Sequence, residues 1–391
     1  MIDTQREAFT AMNLVHPVWS GFAKVSNILG VERRVLLHAG PPFAKFEHIP
    51  QAVLNSLCIG ALFEGWANSV EEAIQLVQSK QIEVLPAQNF GIVVPLAGVV
   101  SPSMCLLKIS DKLNSNRVKY SVLNEGMTLC TRLGILDTKI VDHLRWLNND
   151  FSVWLQKRFK DPIDLSPVII ESLLNGDDCH ARTMHGSKCL ANLIYKLNPD
   201  DVPGTHKEFL DGSLAFALNF WMAMASLVLS VSEEYPKSRF LSKVGGNGYE
   251  IGVQLSCQPG VWLTSKAPTI NGKKEERFSQ SEPLGSIGDS PVVDFLGLGG
   301  QVLDLSIASA KNLQTYLPQD YAERAENISF DRLSIFGNRY GVSDIYKIIK
   351  TQKGPLVLLG MIDSAGVSGR IGGGVLDTPI ETINELVKDY L

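Results

Sequence analysis

Residues 212–232, GSLAFALNFWMAMASLVLSVS, carry no charge over a length that can span a bilayer. No second segment of this kind exists in the chain. Such a run has two homes, lipid or the interior of a large protein, because a helix that is apolar all round can also be a core helix. Asn219, several serines and the many Ala and Met residues favour the second home. The expectation is a helix buried inside a soluble protein. A chain of 391 residues, 45% of them hydrophobic, is long enough to bury it.

Around this segment the hydrophobic period changes twice. Residues 1–30 show helical spacing through Phe9, Met12, Val15, Val18 and Phe22. Val35-Leu36-Leu37 reads as a strand that ends at His38 and a Gly-Pro-Pro turn. Residues 70–77 read as a helix with Ser69 as its cap, and 82–86 and 91–95 as strands. Further on, Leu129, Leu133, Leu136, Ile140, Leu144 and Leu147 recur at helical spacing. Glycine returns after Lys243, with alternating apolar residues over 249–255 and a buried strand over 355–362. Residues 379–390 read as an amphipathic helix with Thr378 as its cap. The expected fold class is therefore α+β (mixed α/β) and multi-domain. Residues 1–120 form an α/β domain, 121–240 a mainly helical domain and 241–391 a glycine-rich α+β domain.

The net charge of −5 argues against nucleic acid as a partner, since phosphate neutralisation needs clustered Lys and Arg. The densest charged run, residues 273–277, is mixed in sign and reads as a solvated loop. Six cysteines form no CxxC pair and read mostly as small buried hydrophobes. The start, MIDTQREAFTAMNLV, has no basic residues followed by an apolar run, so no signal peptide is read. Free thiols without an export signal point to the cytoplasm, with no membrane role.

Groups that bind ligands or move protons are densest in LNGDDCHARTMHGSKCL, residues 174–190. His180 and His185 are five apart, which does not stack them on one helical face. The spacing matches no zinc signature, so neither a metal nor a cofactor is assigned. Two readings stay open, a polar loop between helices and a catalytic centre. For the second, Arg182 offers a planar fork for carboxylate or phosphate. A histidine titrates near neutrality and can shuttle a proton. Gly186-Ser187-Lys188 reads as a helix start, which attracts anions.

The runs 245–248, 287–290, 297–300 and 369–374 are either tight turns or anion-cradling loops, and none is a P-loop or a clean dinucleotide fingerprint. His38 stands at a strand end, where ligands collect in α/β folds. Glu64 is a lone acid in an apolar helix, either a paired core carboxylate or a ligand group.

Seven motifs occur in register: VLLHAGPP, GALFEG, AGVVSPSM, GDDCHAR, NGYEIG, IGDS and GLGG. Over nearly the whole chain this order resembles the AllG/YlbE-like family, the large subunit of oxamate carbamoyltransferase (oxamic transcarbamylase) of allantoin breakdown. The resemblance implies a cytoplasmic enzyme of purine catabolism that moves a carbamoyl group between phosphate and an oxamate-like acid. It also implies companion carbamoyltransferase subunits, and an oligomer. Against the family's pattern, the chain is expected to lack an α/β segment ahead of its first helix and to differ over 363–370. The assignment of roles rests on residue chemistry. His180, Arg182, His185 and Asp178 are expected to be catalytic. His38, Glu64, Asn247, Asp289, Gly299 and Gly300 are expected to bind carbamoyl phosphate and the acceptor acid, with the runs 245–248, 287–290 and 297–300 and the 176–187 loop around one pocket. Two alternatives remain. One is a metal-dependent hydrolase or lyase of a ureido or amide acid, its metal held by Asp177, Asp178, His180 and His185. The other is a non-catalytic anion-binding scaffold subunit.

Overall fold

The computed structural model describes residues 2–30, 33–123, 128–197, 202–378 and Ile383. The first part of the chain forms α1 (Ile2–Asn13), β1 (Pro17–Lys24), α2 (Val25–Leu29), β2 (Val35–His38), α3 (Gln51–Phe63) and α4 (Val70–Gln78). It continues through β3 (Glu83–Pro86), β4 (Ile92–Val93), β5 (Val99–Val100), β6 (Cys105–Asp111) and β7 (Asn114–Val122). Next come α5 (Lys139–Trp146), α6 (Ser152–Arg158), the short β8 (Ile163–Asp164), α7 (Ser166–Leu174), α8 (Met184–Leu197), α9 (Gly204–Gly212) and α10 (Phe216–Ser230). The last part holds β9 (Leu241–Asn247), β10 (Glu250–Leu255), β11 (Leu263–Lys266), β12 (Asn271–Lys274), β13 (Ile287–Gly288) and α11 (Pro291–Leu296). It ends with α12 (Ile307–Leu313), α13 (Arg324–Ile328), β14 (Ser329–Leu333), β15 (Arg339–Ser343), α14 (Ile345–Thr351), β16 (Leu356–Ile362) and β17 (Arg370–Asp377). The architecture is α+β, with several small sheets and a helical middle.

α10 is the charge-free segment. It starts at Phe216 rather than 212, because Gly212 still belongs to α9. Every residue from Phe216 to Leu229 is buried. The stretch Phe216–Glu234 is long and apolar enough to cross a membrane, and 89% of an 18-residue window within it lies inside the protein. It packs against β6, β7, β9, α8 and α11. The contact with α8 is close because Gly186 faces it. A Cβ there would stand 3.2 Å from both Ala217 and the Trp221 ring, and 2.8 Å from Ser172 Oγ. The largest apolar core surrounds this helix and takes residues from Ala8 to Ile383. A smaller one lies under α3 and α4, with Leu36, Val53, Leu57 and Val77.

Five sheets are formed by the described residues, with orders β4-β7-β6-β1-β8, β11-β10-β9-β13, β12-β17-β16, β14-β15 and β3-β2-β5. The helix expected over residues 1–30 is interrupted by β1. Pro17 disfavours helix at His16, and Val18, Trp19 and Phe22 prefer a strand, here antiparallel to β6. The helical spacing from Leu129 also misleads at first. Gly134 turns the chain with φ 68°, and regular helix begins only at Lys139. α4 is capped as expected, its Glu72 N–H donating to Ser69 Oγ at 3.2 Å. The glycines of 369–374 lie mostly in β17 rather than in a loop, paired with β12 and β16. The amphipathic helix expected over 379–390 falls outside the described residues, Ile383 excepted.

Candidate active site

The loop of residues 175–183 joins α7 to α8, and Asp178 folds it. Its Oδ1 accepts the backbone N–H groups of His180 (2.8 Å) and Arg182 (3.0 Å), and its Oδ2 accepts Ser309 Oγ–H (2.6 Å). Its carbonyl accepts the N–H of Gly299 at 2.8 Å. Cys179, inside this turn, takes φ 66°, a region few residues other than glycine adopt. Asp178, expected to be catalytic, thus spends its acceptors on holding the loop. Asp177 Oδ2 accepts the N–H of Gly186 (2.8 Å) in the first turn of α8, and burial pushes its carboxyl up.

The loop delivers His180 to the interior. His180 Nδ1 lies 2.6 Å from Asp294 Oδ2, and both side chains are buried. Asp294 stands on α11, and its Oδ1 also accepts N–H groups from Gly300 (2.9 Å) and Leu358 (3.2 Å). Burial pushes the Asp294 carboxyl above its ordinary range, against the pull of His180. Nδ1–H donating to Asp294 fixes the tautomer that leaves Nε2 as a proton acceptor. Among the described residues Nε2 takes no protein partner. Gly299 and Gly300 serve this pair: a side chain on Gly299 would collide with the Asp294 carboxylate.

Arg182 faces elsewhere. It lines a cleft of about 420 Å³ with Asn175, Asp177, Met184, His185 and Lys188. Its Nε is 4.0 Å from Asp177 Oδ1, which has no hydrogen-bond partner among the described residues. The histidine and arginine expected to act side by side therefore share one loop but not one environment. His185 lies 3.2 Å from Glu171 Oε1, and the Cys189 thiol donates to that same oxygen at 3.5 Å. Burial, with Glu171 adding, pushes the Cys189 thiol up to about 11. The metal set considered from the sequence does not converge. Among the described residues, a different trio does: Glu171, His185 and Cys189.

His38, Asn247 and Asp289 meet in a second cluster, where residues 38–43 cross β9. Asp289 accepts the N–H groups of Gly40 (2.8 Å) and Val94 (2.8 Å) and the amide of Gln88 (2.6 Å). Burial pushes its carboxyl up to about 7 despite these donors. Asn247 donates to the Pro41 carbonyl (2.9 Å) and accepts from the N–H groups of Tyr249 and Glu250. His38 Nδ1 is 2.7 Å from the Ala39 carbonyl, its buried Nε2 has no partner among the described residues, and burial lowers its pKa to about 4. Gly40 allows the crossing, since a Cβ would collide with Gly246. Glu64 stands apart from both clusters and accepts the N–H and Oγ–H of Ser103, each at 2.8 Å.

Sequence reading missed Asp294, Glu171 and Cys189. A lone acid in the apolar run PVVDFL was the available signal for the first, and the four-residue spacing of His185 and Cys189 for the last. It also missed the approach of Arg132 to Arg370. Burial lowers the pKa of Arg370, Glu275 opposes that, and Arg132 adds to it.

A sequence profile described as oxamate carbamoyltransferase subunit AllG matches residues 82–290. The oxamate carbamoyltransferase subunit AllG of Escherichia coli K12 is 25% identical, over 95% of this chain and 93% of its own. YahG of the same strain, an uncharacterized protein, is 26% identical, over 96% of this chain and 83% of its own. The crystal structure of a conserved protein of unknown function from Enterococcus faecalis V583 has the same fold. Its TM-score is 0.90 at 24% identity, covering 100% of this chain and 97% of that one.

Proposed function

This chain belongs to the AllG family of oxamate carbamoyltransferase subunits, and on that footing we propose that it is a carbamoyltransferase subunit moving a carbamoyl group between phosphate and an oxamate-like acceptor. The acceptor nitrogen attacks the carbamoyl carbon, the bond from that carbon to the phosphate oxygen breaks, and phosphate leaves. The proton lost by nitrogen passes to His180 Nε2. The reverse direction is phosphorolysis of an oxalurate-like acid. The observation that carries the reading is the buried His180–Asp294 pair, 2.6 Å apart, with His180 on the loop whose Arg182 lines the cleft. The histidine offers a proton acceptor and the arginine an anion clamp, two positions apart on one loop. Transfer between two bound partners then gains mainly from positioning. On this reading the protein works in the cytoplasm, within an oligomer of companion subunits, without nucleic acid or membrane.

The test is carbamoyl transfer on the complex reconstituted with its companion subunits, using carbamoyl phosphate and oxamate. Arg182→Lys keeps charge but loses the bidentate fork. It is expected to lower the rate by about 3 kcal/mol, a few hundredfold. Near wild-type turnover in Arg182→Lys and His180→Asn alike, with unchanged melting, would remove both residues from the reaction and favour a scaffold role.

A further inference from the structure

We infer that Glu171, His185 and Cys189 form a binding site for a borderline-soft divalent cation, Zn²⁺ foremost, that clips α7 to α8. The inference is independent of the carbamoyltransferase reading. His185 and Cys189 are four residues apart near the start of α8, so they stack on one helical face. Glu171 reaches them from α7. One ligand atom from each lies within 4.8 Å of the other two.

The edges of this triangle support a cation. Zinc bonds to sulfur, nitrogen and oxygen give tetrahedral edges of about 3.3 Å for nitrogen to oxygen and about 3.5 Å for sulfur to oxygen. The corresponding distances are 3.2 Å from His185 Nε2 and 3.5 Å from Cys189 Sγ, both to Glu171 Oε1. Without a cation that one oxygen accepts from both groups, which holds the donors in place. A dication replaces the two protons and draws the same three atoms onto itself. The donor set of thiolate, imidazole and carboxylate selects Zn²⁺ and its neighbours over Mg²⁺ or Ca²⁺, which take oxygen ligands. Three protein ligands leave a fourth position for water. The Glu171 side chain is 60% exposed and that of His185 30%, so an ion has a way in.

The site's place gives it a consequence. Glu171 lies before the 175–183 loop and His185 just after it, so a bound ion ties the two ends of the segment that carries Asp178, His180 and Arg182. His185 also lines the cleft. The ion thus acts as a clip on that loop.

Co²⁺ titrated into the metal-stripped full chain tests this. The expected result is stoichiometric binding with four-coordinate ligand-field bands and a thiolate-to-cobalt charge-transfer band, both removed by Zn²⁺. Cys189→Ser should abolish the charge-transfer band, while Cys257→Ser, the control for the other partly exposed thiol, should keep it. His185→Ala and Glu171→Gln should each weaken binding by more than the ~10- to 100-fold typical of an outer-shell partner. Zn²⁺ should raise the melting temperature of the wild type and not of Cys189→Ser, whose metal-free melting checks its fold. No charge-transfer band in the wild type, or a band that survives in Cys189→Ser, overturns the site.

Discussion

Asp294 and Asp289 are buried carboxylates five positions apart, and their surroundings give them different work. Asp294 holds an imidazole whose other ring nitrogen has no partner among the described residues, whereas Asp289 holds only amides. General acid–base catalysis by a placed histidine contributes roughly 10²- to 10⁴-fold. His180→Asn should lower turnover by that order and flatten one limb of the pH profile. Asp294→Asn should shift that limb while His180 stays in place, and a pH profile identical to wild type would leave Asp294 a packing role only. Asp289 makes its mark on stability instead. Burial pushes its carboxyl up to about 7 in the folded state, against an ordinary value of 3.8, so the folded state binds the extra proton between those values. Stability from this group is therefore fullest below about pH 4 and declines as pH rises to about 7, by a few kcal/mol at most. Asp289→Asn should flatten that decline in denaturant midpoints measured across this window; an unchanged slope would contradict the assignment. The loop that carries His180 and Arg182 was legible as a candidate because reactive groups crowd its stretch of sequence. Asp294 was not, because its partner lies 114 residues away and burial, not pattern, makes the pair.

Among the elements, α10 was the most legible, because a charge-free run of that length tolerates few environments. Its start was less so, since α9 runs into Gly212 and pushes the boundary to Phe216. β1 hid behind apolar spacing that fits a helix, and Pro17 was the signal that decides it. The glycines of β9 and β17 looked like loops because glycine marks both turns and close backbone approach, and only pairing tells them apart. α10 also carries one cost. Asn219 is fully buried, and among the described residues neither its amide nitrogen nor its oxygen has a hydrogen-bond partner. An unsatisfied buried polar group costs roughly 1–3 kcal/mol. Asn219→Leu, which keeps the branching and heavy-atom count and removes the polar atoms, should raise stability by up to about that amount, read as a higher denaturant midpoint at constant slope. Gly186→Val should do the opposite by about 1–3 kcal/mol, because Ser172 of α7 and Ala217 and Trp221 of α10 crowd its Cβ. A stabilised Gly186→Val would mean the helices can separate without loss.

At the scale of the whole molecule, the stretches 1–120, 121–240 and 241–391 differ in composition, and we propose them as regions of distinct secondary structure joined at the largest core. α1, β6, β7, β9, α8 and α11 all meet α10, and the main core takes side chains from every stretch. Chains of this size commonly unfold through intermediates when their domains own separate cores. A shared core predicts the reverse, one cooperative transition. The six tryptophans report on it well: Trp19 and Trp66 lie in the first stretch, Trp146, Trp154 and Trp221 in the second, and Trp262 in the third. Denaturant unfolding followed by tryptophan fluorescence and by far-ultraviolet circular dichroism should give coincident midpoints. Trp221→Ala, at a fully buried position of α10, should cost about 3–5 kcal/mol and shift both curves together. Hydrogen exchange under the same conditions should move equally in β6, β9 and α8. Were Trp221→Ala to unfold only the helical stretch, with β9 and β16 still protected, the three stretches would be folding units in their own right. The loop that carries His180 would then be held by α7 and α8 alone.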